Sequence, residues 1–139
     1  MLADSLAQLF RKIRLMSYRR MFRTIREKAG SLSATEAFSA DVIHLLGAPT
    51  VTQFADTIGI SQPNATYKVN QLTAKGYLEK DVSETDRREV RLRTSEKFQR
   101  YFSESEDILR GMMQALSERF TPQELQTADR VLSALSDMI

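Results

Sequence analysis

Residues 61–94 read SQPNATYKVNQLTAKGYLEKDVSETDRREVRLRT and determine the architecture of this chain. The first half predicts a helix that begins at Ser61, a good N-cap, and ends at Gly76, which adopts the left-handed C′ conformation at little cost. At 100° per residue, Ala65, Val69 and Leu72 form one narrow apolar face. The remaining surface is rich in amides and hydroxyls, which can bind base edges in a major groove. For this helix alone, a solvated surface is the simpler alternative.

The preceding segment predicts a second, shorter helix. Thr50-Val51-Thr52-Gln53 has the form of a capping box, and apolar positions follow before Gly59. Ala55 is a small residue suited to a close helix crossing, and Gly59 allows a turn with positive φ. Together the two segments indicate a helix-turn-helix.

Alternating apolar and polar residues after Gly76 predict a hairpin, with strands over 77–82 and 90–93. Arg87, Arg88, Arg91 and Arg93 place four guanidinium groups within seven residues, which suits phosphates or a narrow minor groove. Asp86 is expected to orient one arginine through a charge-assisted hydrogen bond. An ordinary solvated hairpin turn is the alternative.

In these features, and over nearly its whole length, the chain resembles the MarR (multiple antibiotic resistance regulator) family of winged-helix transcription factors. Asp86-Arg87-Arg88 at the wing is the most specific motif. The resemblance implies that Arg88 enters the minor groove while Asp86 supports it, and that residues 62–71 contact the major groove. Lys68, Tyr67 and Gln71 depart from the usual family pattern. The predicted DNA-binding residues are Ser61, Gln62, Pro63, Asn64, Thr66, Tyr67, Asn70, Gln71, Asp86, Arg87 and Arg88.

Composition limits the classes of function. The 139 residues include no cysteine, so disulfides, thiol redox sensing and cysteine metal sites are excluded. His44 is the only histidine, and a structural role is expected for it rather than a metal site. No nucleophile with a neighbouring base and no phosphate-binding glycine loop is visible. The sequence therefore predicts a non-enzymatic protein without metal or cofactor, and the lack of an export signal or apolar span predicts a cytoplasmic, non-membrane location.

Long apolar stripes on the terminal helices predict a dimer. The first helix, about residues 3–29, and two helices after residue 95 carry more apolar surface than a small winged core can cover. A symmetric dimer would bury these stripes and present two DNA-binding units to a palindromic site. We therefore predict an α+β, mostly α fold in one domain, residues 1–139. Residues 31–94 form a winged helix-turn-helix reader, and residues 1–30 and 95–139 form a dimerisation layer.

Charge is distributed unevenly along the chain. Residues 1–30 carry eight bases and two acids, whereas residues 31–95 carry seven bases and eight acids. The reader is therefore not basic as a whole, so its contacts with DNA must depend on geometry. The basic first helix predicts a site for a small acidic or acyl-type effector, although a solvated charged face is the alternative. The candidate effector residues are Arg14, Tyr18, Arg19, Phe22 and Arg23.

The predicted function is that of a sequence-specific regulator of transcription that binds double-stranded DNA, acting as a repressor under the control of an effector. A winged helix used for protein interaction or dimerisation, without sequence-specific DNA binding, is the alternative. The wing arginines favour the first function, and the weakly charged reader favours the second. An enzyme accessory domain is a third, disfavoured class.

Overall fold

A computed structural model describes residues 1–27, 32–82 and 89–139, without the side chains of residues 24, 27 and 101–105. The described part is mostly helical with one two-stranded antiparallel sheet, which confirms the predicted fold class. In chain order the elements are α1 (Leu2–Glu27), α2 (Ala34–Leu45), α3 (Val51–Ile58), α4 (Gln62–Ala74), β1 (Leu78–Val82), β2 (Val90–Thr94), α5 (Glu96–Arg119) and α6 (Pro122–Ser136).

The chain forms two compact units, residues 1–99 and residues 100–139. The first unit contains the reader, and its core is built where α2, α3, α4 and the sheet meet. The Tyr77 and Phe98 rings pack edge to face at 6.2 Å, with their planes at 86°. The largest fully buried side chains are Tyr77, Phe54, Phe98, Ile43, Leu72, Leu92 and Val69.

The two helices of the reader begin and end at the predicted residues. Thr50 and Gln53 form a reciprocal capping box on α3, and the Ser61 hydroxyl accepts the Asn64 N–H on α4. Gly59 and Gly76 have φ values of 70° and 81°, in the left-handed region where a Cβ is unfavourable. These local features set the turn between α3 and α4 and the turn from α4 into the sheet.

Helix α2 buries one large side chain and three small ones. Its buried residues are Ala37, Ser39, Ala40 and Ile43. Phe38, Leu45 and Leu46 remain exposed in the single chain. Three small side chains and Ile43 therefore make the contacts of α2 with neighbouring elements, and Phe38 and Leu45 stay outside this unit's core.

The hairpin is the predicted wing. Leu78 pairs with Thr94 and Val82 with Val90, so the strands are in register without a bulge. The segment before α3 pairs briefly with β2. Thr50 forms an isolated bridge with Arg91, and the Leu92 N–H donates to the Pro49 carbonyl at 2.8 Å. The base of the wing is therefore joined to the start of the helix-turn-helix.

The second unit contains the rest of α5 and all of α6. Helix α6 begins at a capping box made by Thr121 and Glu124. Every described side chain from Glu106 to Ile139 is exposed or half-buried, so this unit has no buried core of its own there. Gly111 lies within α5, and a Cβ added to it would meet nothing within 4 Å. None of the described helices combines the length and the apolar character that a membrane span requires.

Candidate nucleic-acid interface

The outward surface of α4 carries most of the predicted DNA-binding residues. The apolar face is fully buried, since Ala65, Val69 and Leu72 are at most 1% exposed. Gln71 and Lys68 are half-buried. A lysine can pack its methylene groups on the core and still extend its ammonium group outward. The exposed members of the predicted set are Ser61, Gln62, Pro63, Asn64, Thr66, Tyr67 and Asn70.

Three hydrogen bonds hold polar side chains of this surface. Gln71 Nε2 donates to the Tyr67 hydroxyl at 2.8 Å, one helical turn away. Gln62 Nε2 donates to the Thr52 hydroxyl of α3. Lys80 Nζ, from β1, donates to Asn70 Oδ1 at 2.8 Å. These side chains are therefore oriented by the protein itself, and Thr52 and Lys80 are contributors that the sequence did not reveal.

An open groove of about 1070 Å³ lies between the start of α3, the start of α4 and the start of β2. Hydroxyl, amide and aliphatic groups dominate its walls, and Glu89 is the charged residue among them. Its lining residues are Thr50, Val51, Thr52, Gln62, Pro63, Thr66, Glu89 and Val90. The groove connects the exposed face of the second helix with the base of the wing.

The two described wing arginines are engaged within the chain. Arg91 Nε donates to Glu89 Oε1 at 2.8 Å, its Nη2 contacts the same oxygen, and its Nη1 donates to the Ala48 carbonyl at 3.1 Å. Arg93 Nη2 lies 3.7 Å from Asp81 Oδ2 on the paired strand. Arg91 therefore stabilises the wing base, and Arg93 lies close to a carboxylate. The predicted contacts Asp86, Arg87 and Arg88 lie outside the described residues.

The candidate effector residues form two exposed rows on α1. Arg14, Tyr18 and Phe22 follow one another at intervals of one helical turn, and Phe22 is 68% exposed. Arg19 and Arg23 form a second row, about 100° further around the helix. A single small ligand would contact one row more readily than both.

Another basic residue of α1 faces the reader instead. Arg20 Nη2 lies 3.8 Å from Asp41 Oδ1 of α2, and both side chains are largely buried. Burial raises the pKa of the Asp41 carboxyl, and the Arg20 guanidinium and His44 oppose that shift. Composition marked α1 as basic, but no sequence signal distinguished Arg20 from its neighbours.

His44 occupies the structural position expected for it. It is half-buried, and its Nδ1 lies within hydrogen-bond distance of the Thr94 hydroxyl, 3.2 Å away. The hydrogen bond ties α2 to the end of β2. In the part of the chain that the structure describes, no group of three or more His, Asp or Glu side chains could hold a metal ion.

A helix-turn-helix with an exposed polar second helix, followed by a hairpin, defines a winged helix-turn-helix protein. The model of the MarR family matches residues 41–89, from within α2 to the residue before β2.

Solved structures share the fold over nearly the whole chain. FabT of Streptococcus pneumoniae, solved in complex with DNA, is 20% identical and superposes with a TM-score of 0.60, covering 99% of this chain and 94% of FabT. A MarR family protein from Bacillus stearothermophilus is 20% identical, with a TM-score of 0.57 and coverage of 98% and 94%. A point mutant of E. coli MarR, complexed with operator DNA, is 15% identical, with a TM-score of 0.52 and coverage of 94% and 92%.

These findings support the resemblance found in the sequence: residues 41–89 match the MarR family, and the chain shares the winged-helix fold of MarR family structures. At these identities the structural matches show the shared fold, and the family match covers the helix-turn-helix and the first strand of the wing.

Proposed function

We propose that this protein is a cytoplasmic, homodimeric repressor that binds a pseudo-palindromic operator in double-stranded DNA. The observation that carries the proposal is the outward surface of α4, where amide, hydroxyl and phenol groups are exposed while the opposite face is fully buried. Such a helix can enter a major groove without disturbing the core behind it. A FabT–DNA complex and a MarR–operator complex are among the similar structures, and they support the same role.

The dimer is supported by apolar surface that the single chain leaves uncovered. Leu109, Met112 and Leu116 follow one another on α5 and are between 38% and 61% exposed. Helix α6 has no buried residue and exposes Leu132. Contiguous apolar surface of this kind typically marks a protein–protein interface. Two copies related by a two-fold axis would cover it and set the spacing of two recognition helices.

Protein interaction without sequence-specific DNA binding is the second candidate, and the charge pattern of the wing favours it. In the hairpin register Arg93 lies opposite Glu79 and Arg91 opposite Asp81. Each described wing arginine is therefore matched by an acid, which weakens a general attraction to DNA. The exposed polar face of α4 favours DNA reading over this candidate.

Selection of DNA fragments from a random-sequence pool by the purified protein distinguishes sequence-specific DNA binding from the protein-interaction candidate. We expect enrichment of a pseudo-palindrome whose half-sites are centred about one helical turn, roughly 10 base pairs, apart. Asn64→Ala should weaken binding to the selected site by about 1–3 kcal/mol, the value of one good base contact. Gln126→Ala removes an exposed amide from α6 instead and should leave binding unchanged. Equal retention of all sequences would instead support the protein-interaction candidate.

We also propose that an acidic or acyl-type effector controls the affinity for the operator through α1. The exposed rows led by Arg14 and Arg19 supply cationic groups, and Tyr18 and Phe22 supply aromatic surface beside them. Helix α1 packs on α2 of the reader. An effector that contacts α1 differently in two arrangements of the reader would shift the balance between them.

Charge reversal tests this control. Arg19→Glu with Arg23→Glu should leave effector-free operator binding nearly intact and remove the response to an aromatic carboxylate, a fatty acid or an acylated carrier protein. Arg11→Glu with Lys12→Glu makes the same charge change elsewhere on α1 and should keep the response. An equal loss of basal DNA binding in the first variant would assign Arg19 and Arg23 to the duplex or to the fold.

A further inference from the structure

The contact between Lys80 and Asn70 joins the wing, at an exposed position, to α4, the helix proposed to enter the major groove. Lys80 Nζ donates to Asn70 Oδ1 at 2.8 Å. The backbone between the two residues is held closely: the Tyr77 N–H donates to the Leu72 carbonyl at 2.9 Å, and the Ser95 hydroxyl donates to the Gly76 carbonyl at 2.6 Å. The relative position of the two side chains is therefore set by the fold and not by a loose linker.

Lys80 contacts this amide although acids are its neighbours in the strand. Glu79 and Asp81 flank it, but successive residues of a strand point to opposite faces. Lys80 shares its face with Leu78 and, across the hairpin, with the buried Leu92, so it lies on the side that faces α4. Asp81 in turn lies 3.7 Å from Arg93. The hydrogen bond to a neutral amide is thus a consequence of the strand register.

The chemistry of the pair differs from that of an asparagine alone. An ammonium group can only donate, so the Asn70 atom that faces Lys80 must be the oxygen, and the Nδ2 donors point away. A lone asparagine presents one donor and one acceptor, which match the N7 and N6 amino group of adenine. Asn70 Nδ2 and the two remaining Nζ protons of Lys80 present donors side by side, and guanine offers two acceptors, O6 and N7.

We propose that Lys80 is a specificity-determining residue that makes Asn70 favour guanine over adenine at one position of each half-site. This inference rests on the proposed function and names the base that one part of the reader selects. The Tyr67–Gln71 hydrogen bond lies within α4 and does not involve the wing. The Lys80–Asn70 hydrogen bond, in contrast, comes from a wing strand, so Lys80 lets the wing change which base Asn70 prefers.

Selection from a random DNA pool, repeated with Lys80→Met, tests the inference. The wild type should enrich guanine at one position of each half-site. Lys80→Met leaves Asn70 with its own donor and acceptor, so that position alone should shift toward adenine. The ratio of guanine to adenine preference should change by about tenfold, within the range expected for one bidentate contact. In an Asn70→Ala background, Lys80→Met should change no base preference.

Lys97→Met is the matched control. It removes the same charge from the same unit, at a lysine that lies over the Tyr77 ring and donates to the Lys75 carbonyl without contacting Asn70. It should keep the wild-type base preferences, and thermal melting should show that each variant is folded.

Two results would overturn the inference and can be told apart. If the wild type selects an operator and Lys80→Met binds it more weakly with every base preference unchanged, Lys80 contacts phosphate only and the inference is wrong while the proposed function stands. If the wild type enriches no sequence, the proposed function and the inference fail together.

Discussion

Asp41 lies on α2 with its Oδ1 buried and without a hydrogen-bond partner, although the Arg20 guanidinium is 3.8 Å away. Removing a carboxylate from water favours its protonated form, so the pKa of Asp41 is raised above its usual range. The folded chain thus holds this proton more tightly than the unfolded chain. The contribution of Asp41 to stability is greatest when it is protonated and is lost as the pH rises through its folded pKa.

Asp41→Asn should therefore gain stability relative to the wild type as the pH rises. The difference in the free energy of unfolding, variant minus wild type, should be more favourable at about pH 7.5 than at about pH 4. Urea unfolding at both values measures it. Asp56→Asn, at an exposed position of α3, is the control and should show a smaller change. A difference for Asp41→Asn that is the same at both pH values would contradict the burial of a charged carboxylate.

At the scale of elements, the structure describes the base of the wing, and residues 83–88, between its two strands, lie outside the described residues. The base is tied to the rest of the reader by the Thr50–Arg91 bridge and by Arg91, which contacts both Glu89 and the Ala48 carbonyl. DNA contact by Arg88 remains a prediction that rests on the family motif in the sequence.

Arg88→Ala should weaken binding to all DNA sequences and reduce the dependence of log affinity on log salt by about one unit. Arg93→Ala removes the same charge from the wing base, where Asp81 lies nearby, and should change the salt dependence less. DNA titrations at several salt concentrations distinguish the two. An unchanged affinity and slope for Arg88→Ala would exclude the wing tip from the interface.

At the scale of the whole molecule, the terminal helices carry apolar surface without a core to receive it. In the described part of the second unit, Leu125 and Leu135 are half-buried and the other side chains after residue 105 are exposed. Apolar surface left in water opposes folding to a monomer. A second copy of the chain is the simplest partner for such helices, and we expect the chain to fold only as a dimer.

Leu132→Asp combined with Leu135→Asp should abolish dimerisation and, with it, operator binding. Charges placed in an apolar interface must be desolvated without a partner, which is strongly unfavourable. Sedimentation at micromolar concentration and DNA titration measure the two effects. Gln126→Asp adds a charge at an exposed polar position of the same helix and should leave both unchanged. Sedimentation of the wild type as a folded monomer would contradict the dimer.

The sequence by itself determined the order of elements, the ends of α3 and α4, and the buried face of α4. These follow from local rules, because a capping hydroxyl, a left-handed glycine and a three-four repeat act within one or two turns of chain. Tertiary structure alone decided that Arg20 reaches Asp41, that Arg91 contacts Ala48, and that Phe38 and Leu45 of α2 stay outside the core. It also decided that Lys80 meets Asn70. Each of these depends on how separate elements are placed against one another, and residues far apart in sequence carry no local signal of that placement.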